Sequence, residues 1–204
     1  MNPHDTKPLL FFNVDGVLTS ARTYWTPAGR EARLDPVALR LVQAFCEKLG
    51  AEVYMASAWS SMGVTSPQAW RDMFARCGAT IPVVGMLNYD ETDHGDWAGA
   101  MDKLMALFPN RPHLLFEDDP VDRDHPHLIE VDAQVGLTTV NLQAAAERLA
   151  PGSALAKELA QLNTAFSRDK TITVSVGSGP ALSVHPRDIG TALTALGIPA
   201  VAPQ

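Results

Sequence analysis

Cysteine is scarce: the 204 residues hold two, Cys46 and Cys77. A pair so far apart makes neither a disulfide framework nor a zinc site, and both are expected to serve as small hydrophobes. No apolar run approaches the ~18 residues of a membrane span. The leading MNPHDTKPLLFF lacks a basic stretch running into a long apolar one, so no targeting signal is read there. A soluble cytoplasmic protein with no membrane partner is expected. Positive charge is also short, with 16 Lys+Arg against 23 Asp+Glu and a net charge of −7. Long-range attraction to nucleic acid is therefore weak, although a local basic groove stays compatible with this balance. Hydrophobic residues make up 46% and charged residues 19%, a globular composition that excludes disorder.

What is present alternates between strand and helix signals. PLLFFNV (8–14) is a continuous apolar run ending at the turn signal Asp15-Gly16. Residues 20–33 read as irregular. Asp35 as N-cap and Pro36 in the first turn open a helix that Gly50 closes. AEVYMASA (51–58) is a second strand, and residues 66–77 a helix capped by Ser66. IPVVGM (81–86), HLLFEDD (113–119) and LIEV (128–131) are further strands. Residues 87–96 are an acidic loop. Residues 97–108, 141–149 and a stretch ending near 165 are helical, the first with Met101, Leu104, Met105 and Phe108 on one face. Continuous apolar strands alternating with helices imply an α/β fold, a Rossmann-like parallel sheet with helices on both faces. TITVSV (171–176) and ALSVH (181–185) around GSGP predict a hairpin, and Pro186 opens a last helix. The expected domains are 1–165, the α/β unit, and 166–204, a small ββα appendage whose strands could pair in a homodimer.

Ligands of open α/β sheets bind outside the carboxyl ends of the strands. Three predicted strands end there in polar groups: Asn13-Val14-Asp15-Gly16, Ser57-Ala58-Trp59-Ser60 and Glu117-Asp118-Asp119. Adjacent acids are tolerated where a hard cation lies between them, and an oxygen donor set points to Mg²⁺ rather than zinc.

KPLLFFNVDGVLT resembles the first motif of haloacid dehalogenase (HAD) superfamily phosphohydrolases. VYMASAW resembles their second motif and LLFEDD their fourth. Ser-x-Trp after strand two and VDAQVGLT (131–138) resemble the small HAD domains of actinobacteria, their phages and RNA-repair fusion proteins. The resemblance spans roughly residues 7–150. It implies phosphomonoester hydrolysis through an aspartyl-phosphate formed at position 13, with Asp15 as general acid/base. It implies Mg²⁺ held by position 13, the Asp15 carbonyl and Asp118, with Asp119 as a further candidate. Ser57 would hydrogen-bond the phosphoryl group, and the backbone at Gly16 and Ala58 would line the substrate site. The short segment after motif one implies a minimal cap and an open site, suited to a nucleotide, a nucleic-acid end or another phosphorylated substrate.

Two positions depart from that pattern. Position 13 is Asn, and a neutral carboxamide is a poor nucleophile. Either the Asn is engineered to trap a complex, or the protein has lost turnover and binds or sequesters a phosphorylated ligand. The family's Lys directly follows a Trp in this branch, but Ala98 follows Trp97. Lys103 is the remaining candidate, on another face of the same helix.

Other residues carry two readings each. Trp59 faces the site from a strand end and could stack on a base, whereas Trp70 and Trp97 read as packing. His125 and His127 flank Pro126 as either an exposed loop or a metal pair. Arg22, Arg30 and Arg33 are either solvated or meet a substrate phosphate.

Overall fold

The computed structural model describes residues 7–24, 29, 31–60, 63–87, 103–119, 125–165, 172–174 and 182–184. Five strands, β1 (Leu9–Phe12), β2 (Glu52–Met55), β3 (Val83–Met86), β4 (His113–Glu117) and β5 (Leu128–Glu130), form one sheet in the order β3-β2-β1-β4-β5. Every pairing is parallel. The expected Rossmann-like α/β architecture is therefore present. The chain order reverses across β1, between β2 on one side and β4 on the other, which makes this the switch point where such sheets open a crevice.

All four β1 residues are buried because both sheet faces are covered. Successive side chains point to opposite faces. Leu10 and Phe12 join the larger core with Leu39, Val42, Phe45, Trp70 and Phe74. Leu9 and Phe11 join a smaller one with Leu104, Met105, Leu115 and Leu128. The Phe12 and Phe116 rings stack with centroids 4.4 Å apart across the switch point.

The helices are α1 (Ala21–Tyr24), α2 (Pro36–Leu49), α3 (Pro67–Arg76), α4 (Thr139–Leu149) and α5 (Ala154–Ala165). The Asp35 side chain accepts from the Val37 N–H at 2.8 Å, and Gly50 closes α2 at φ 67°. Ser66 caps α3 through the Ala69 N–H. The segment expected to be irregular contains α1 and a 3₁₀ turn at Glu31–Arg33. Helix α4 starts two residues before the expected Asn141, because Thr138 and Asn141 form a reciprocal capping box. Of the helix expected over 97–108, residues 103–106 are helical and 97–102 lie outside the described residues.

The chain divides into two compact units, residues 1–159 and 160–204. In the second, β6 (Ile172–Val174) and β7 (Leu182–Val184) pair antiparallel, Ile172 opposite Val184, as the alternation predicted. The helix expected after Pro186 lies outside the described residues. No helix among the described residues is long and apolar enough to cross a membrane.

At the amino edge of the sheet Glu52 is buried, and Arg111 Nη2 donates to its Oε2 at 3.0 Å while Lys7 Nζ reaches its Oε1 at 3.4 Å. Arg111→Ala strands a buried carboxylate. With Lys7 still present, the expected loss is about 2 kcal/mol in urea unfolding. An unchanged midpoint would remove this pair from the account of stability.

His113 and His127 stack there with centroids 4.2 Å apart, and His125 lies against His127 at 5.6 Å. Burial and the neighbouring imidazoles hold His113 below the usual histidine range. The unfolded chain takes up that proton first, so the His113 contribution to stability should fall as pH drops below about 6.5 and be constant above it. His113→Gln should make the melting temperature fall less, or rise, between about pH 7.5 and 5.5 relative to the parent; an identical slope in the variant would reject this origin.

Candidate functional site

The register of the central strands builds the site. Phe12 lies opposite both Met55 and Phe116, so β1, β2 and β4 end at the same level. The Asn13 N–H donates to the Phe116 carbonyl at 3.1 Å, and the Ala56 N–H to the Phe12 carbonyl at 2.9 Å. Beyond this line the chain turns. The N–H groups of Val17, Leu18 and Thr19 converge on the Val14 carbonyl, and the Gly16 N–H donates to Thr19 Oγ1 at 2.9 Å. Gly16 takes φ +72°, and a Cβ there would fall 2.2 Å from Asp118 Oδ2. Only glycine lets the motif-one backbone approach Asp118 this closely.

Asn13 is the hub. Its Nδ2 donates to Glu117 Oε1 at 2.8 Å, to Asp118 Oδ1 at 3.1 Å and to the Asp15 carbonyl at 3.3 Å. Its Oδ1 accepts from the Val14 N–H at 2.7 Å. The sequence-predicted Asn13, Asp15, Gly16 and Asp118 are thus brought together.

Glu117 is the partner that sequence reasoning missed, although its place as first acid of Glu117-Asp118-Asp119 was the available signal. It is 3% exposed, and its Oε1 also accepts from the Asp118 N–H at 3.0 Å. Its Oε2 is buried with no hydrogen-bond partner among the described residues. Burial pushes its carboxyl up to about 7; the Asn13 amide opposes the rise and the Asp118 carboxylate adds to it. Asp119 is exposed, and its N–H donates to Glu117 at 3.4 Å; no described bond joins it to Asn13.

Trp59 corrects its expectation. It is 2% exposed and stacks on Trp70 at 6.4 Å, so it offers no open face to a base. Its Nε1–H donates instead to Asp15 Oδ2 at 3.0 Å. An indole buried on both faces spends its one donor where a partner is in reach. Ser57 is fully buried after β2, its Oγ accepting from the Trp59 N–H at 3.4 Å, while Ala58 is exposed.

Lys103 is exposed on the 103–106 helical turn, and no described hydrogen bond or ion pair joins it to the cluster. None of the described ion pairs involves Asp15, Glu117 or Asp118. His125 and His127 stand at the opposite, amino edge of the sheet; no group of three metal-ligating side chains occurs among the described residues. Arg33 is half-buried in the 3₁₀ turn, whereas Trp25, Arg30, Trp97, Ala98 and the side chain of Arg22 lie outside the described residues. Cys46 is buried and free, its thiol pushed up to about 12 by burial.

The loop after β5 completes the edge. Asp132 accepts from Val135 and Gly136, and the Leu137 N–H donates to the Val17 carbonyl at 2.9 Å. VDAQVGLT therefore buttresses the motif-one turn.

A parallel sheet with an acid-rich switch point, entered by Asn-Val-Asp-Gly, fits the class of HAD-type phosphohydrolase domains. The family described as the HAD domain in Swiss Army Knife RNA repair proteins matches residues 9–142, roughly two thirds of the chain, and the chain belongs to that family. No curated protein and no solved structure matches it.

HAD proteins generally use Mg²⁺. The oxygens gathered within 3.3 Å of Asn13 Nδ2, from Glu117, Asp118 and the Asp15 carbonyl, suit a hard cation. Asn13 fits such a set only through Oδ1, since an amide nitrogen donates protons and does not ligate.

Proposed function

We propose that the chain holds a phosphorylated ligand, a nucleotide or nucleic-acid end, at the carboxyl edge of β1, β2 and β4, with Mg²⁺, and does not turn it over. The observation that carries this reading is Asn13 at the hub, where an attacking carboxylate is needed. A carboxamide has no free lone-pair charge to form the acyl-phosphate that divides hydrolysis into two steps. The remaining parts have assigned roles. Asp15, oriented by the Trp59 indole, is the group that would exchange a proton with a leaving oxygen only if an attacking carboxylate stood at position 13. Ser57 and Ala58, at the end of β2, would receive phosphoryl oxygens once a ligand is seated. Asp118, the Asp15 carbonyl and Asn13 Oδ1 would hold Mg²⁺, which supplies positive charge opposite the phosphate.

The RNA-repair setting of the family favours a nucleic-acid end, and the net charge of −7 favours recognition of one phosphate over a long polyanion. A cytoplasmic location, which suits two free thiols, and a homodimer through the β6–β7 hairpin belong to the same proposal. A concentration-independent monomer mass would remove the dimer.

The test of the site is calorimetry with a nucleoside monophosphate and a terminally phosphorylated oligonucleotide, in Mg²⁺ and in EDTA. Binding should require the metal and weaken about tenfold in Ser57→Ala, the loss of one hydrogen bond to a charged group. No heat at millimolar ligand would reject the reading.

A further inference from the structure

Asn13 carries one acceptor oxygen and two amide protons on a group that half a turn about its terminal torsion inverts in place. The neighbours decide which way it stands. On one side is a single donor, the Val14 N–H, 2.7 Å from Oδ1. On the other are three acceptors, Glu117 Oε1, Asp118 Oδ1 and the Asp15 carbonyl, all within 3.3 Å of Nδ2. The observed orientation gives the Val14 N–H its acceptor and shares the two amide protons among the three oxygens. The reverse sets an oxygen against three oxygens and an amino group against an N–H.

Two of those acceptors are carboxyl groups, and that of Glu117 is buried. Grouped acids of this kind call for positive charge. The amide nitrogen brings the positive end of its dipole to the point the three oxygens share. Asp118 is also pressed against the backbone at Gly16, where a Cβ would lie 2.8 Å from its own Cβ, so it has no room to retreat on that side. One small group, the amide nitrogen, lies within 3.3 Å of all three oxygens.

We infer that Asn13 Nδ2 is the built-in occupant of the cation position: it balances the unliganded strand edge without metal and keeps a free divalent cation out until the amide turns over. The inference rests on the proposed metal set and adds that metal and phosphorylated ligand enter together, because the ligand's charge helps the cation displace the amide. It also reverses a simple expectation. If Asn13 were merely a ligand, deleting its side chain would weaken cation binding. As an occupant, its deletion strengthens it.

The experiment titrates Mn²⁺, read by electron paramagnetic resonance, into the full chain, Asn13→Ala and Asn13→Ser, with no phosphate present. Asn13→Ala should bind Mn²⁺ about tenfold tighter or more than the parent, since the vacated place takes the ion and water supplies the lost oxygen. In EDTA it should melt below the parent, with Mg²⁺ closing the gap. Equal or weaker Mn²⁺ binding in Asn13→Ala and Asn13→Ser overturns the inference.

A second measurement needs no variant. In EDTA the Asn13 side-chain amide protons of the parent should exchange slowly with water by NMR. Exchange as fast as that of an exposed asparagine overturns the inference as well. The two proposals fail separately. Tighter Mn²⁺ in Asn13→Ala with no phosphorylated ligand bound rejects the proposed function and leaves this inference. Metal-dependent ligand binding with weaker Mn²⁺ in Asn13→Ala does the reverse.

Discussion

Asn13→Asp is expected to raise hydrolysis of a generic aryl phosphate in Mg²⁺ by at least ~100-fold. The substitution changes two atoms' chemistry and little shape. It replaces the one group of motif one that cannot attack phosphorus, while Asp15 stays hydrogen-bonded to the Trp59 indole at 3.0 Å. It also removes the amide protons that Glu117 and Asp118 now accept. Three carboxyl groups then meet at the strand edge, so the variant should be less stable than the parent in EDTA. Phosphate release across several phosphorylated substrates, with and without Mg²⁺, is the measurement. A folded Asp variant that stays inert on all of them would mean that more than the nucleophile is missing, and the chain would be a sequestering protein. The missing Lys after Trp97 is where that second lesion would lie.

Gly16→Ala should be among the most damaging single substitutions outside the core, at roughly 2–4 kcal/mol. Two costs add. An L-residue at φ +72° is strained, and its Cβ would fall 2.2 Å from Asp118 Oδ2 and 2.3 Å from Asp118 Cγ. Asp118 would have to leave, taking its bond to Asn13 with it. The two costs separate in a double-mutant cycle. In an Asp118→Ala background the clash with the carboxyl group is gone while the backbone strain and the 2.8 Å approach to the residue-118 Cβ remain, so Gly16→Ala should cost less there, about 2 kcal/mol. Strictly additive losses in urea unfolding would show that Gly16 and Asp118 do not press on each other.

Signals within a few residues were legible from the chain. Asp35, Pro36 and Gly50 bound α2, and Ser66 and Pro67 open α3, because a cap is satisfied by atoms two to four residues away. The run LLFF could only be a strand covered on both faces. Thr138 was passed over for a reason of the same local kind: its partner Asn141 was read as the first helical residue, when it is the far half of a capping box. The motif residues Asn13, Asp15 and Asp118 were also legible, as polar groups ending apolar strands. What they do to each other was not. Glu117 lies 104 residues from Asn13, and their 2.8 Å bond exists because Phe12 and Phe116 stand opposite each other in neighbouring parallel strands. Trp59 was visible as an aromatic at a strand end, but its direction depends on Trp70 in α3, which draws the ring inward and leaves the indole N–H for Asp15. The sequence by itself determined most of the elements and the fold class, and it picked out Asn13, Asp15 and Asp118 as strand-end groups, since these follow from periodicity, caps and residue chemistry. Only the tertiary structure decided which way the Asn13 amide stands, because a carboxamide has no preference of its own and takes its orientation from the three oxygens and one N–H that folding sets around it.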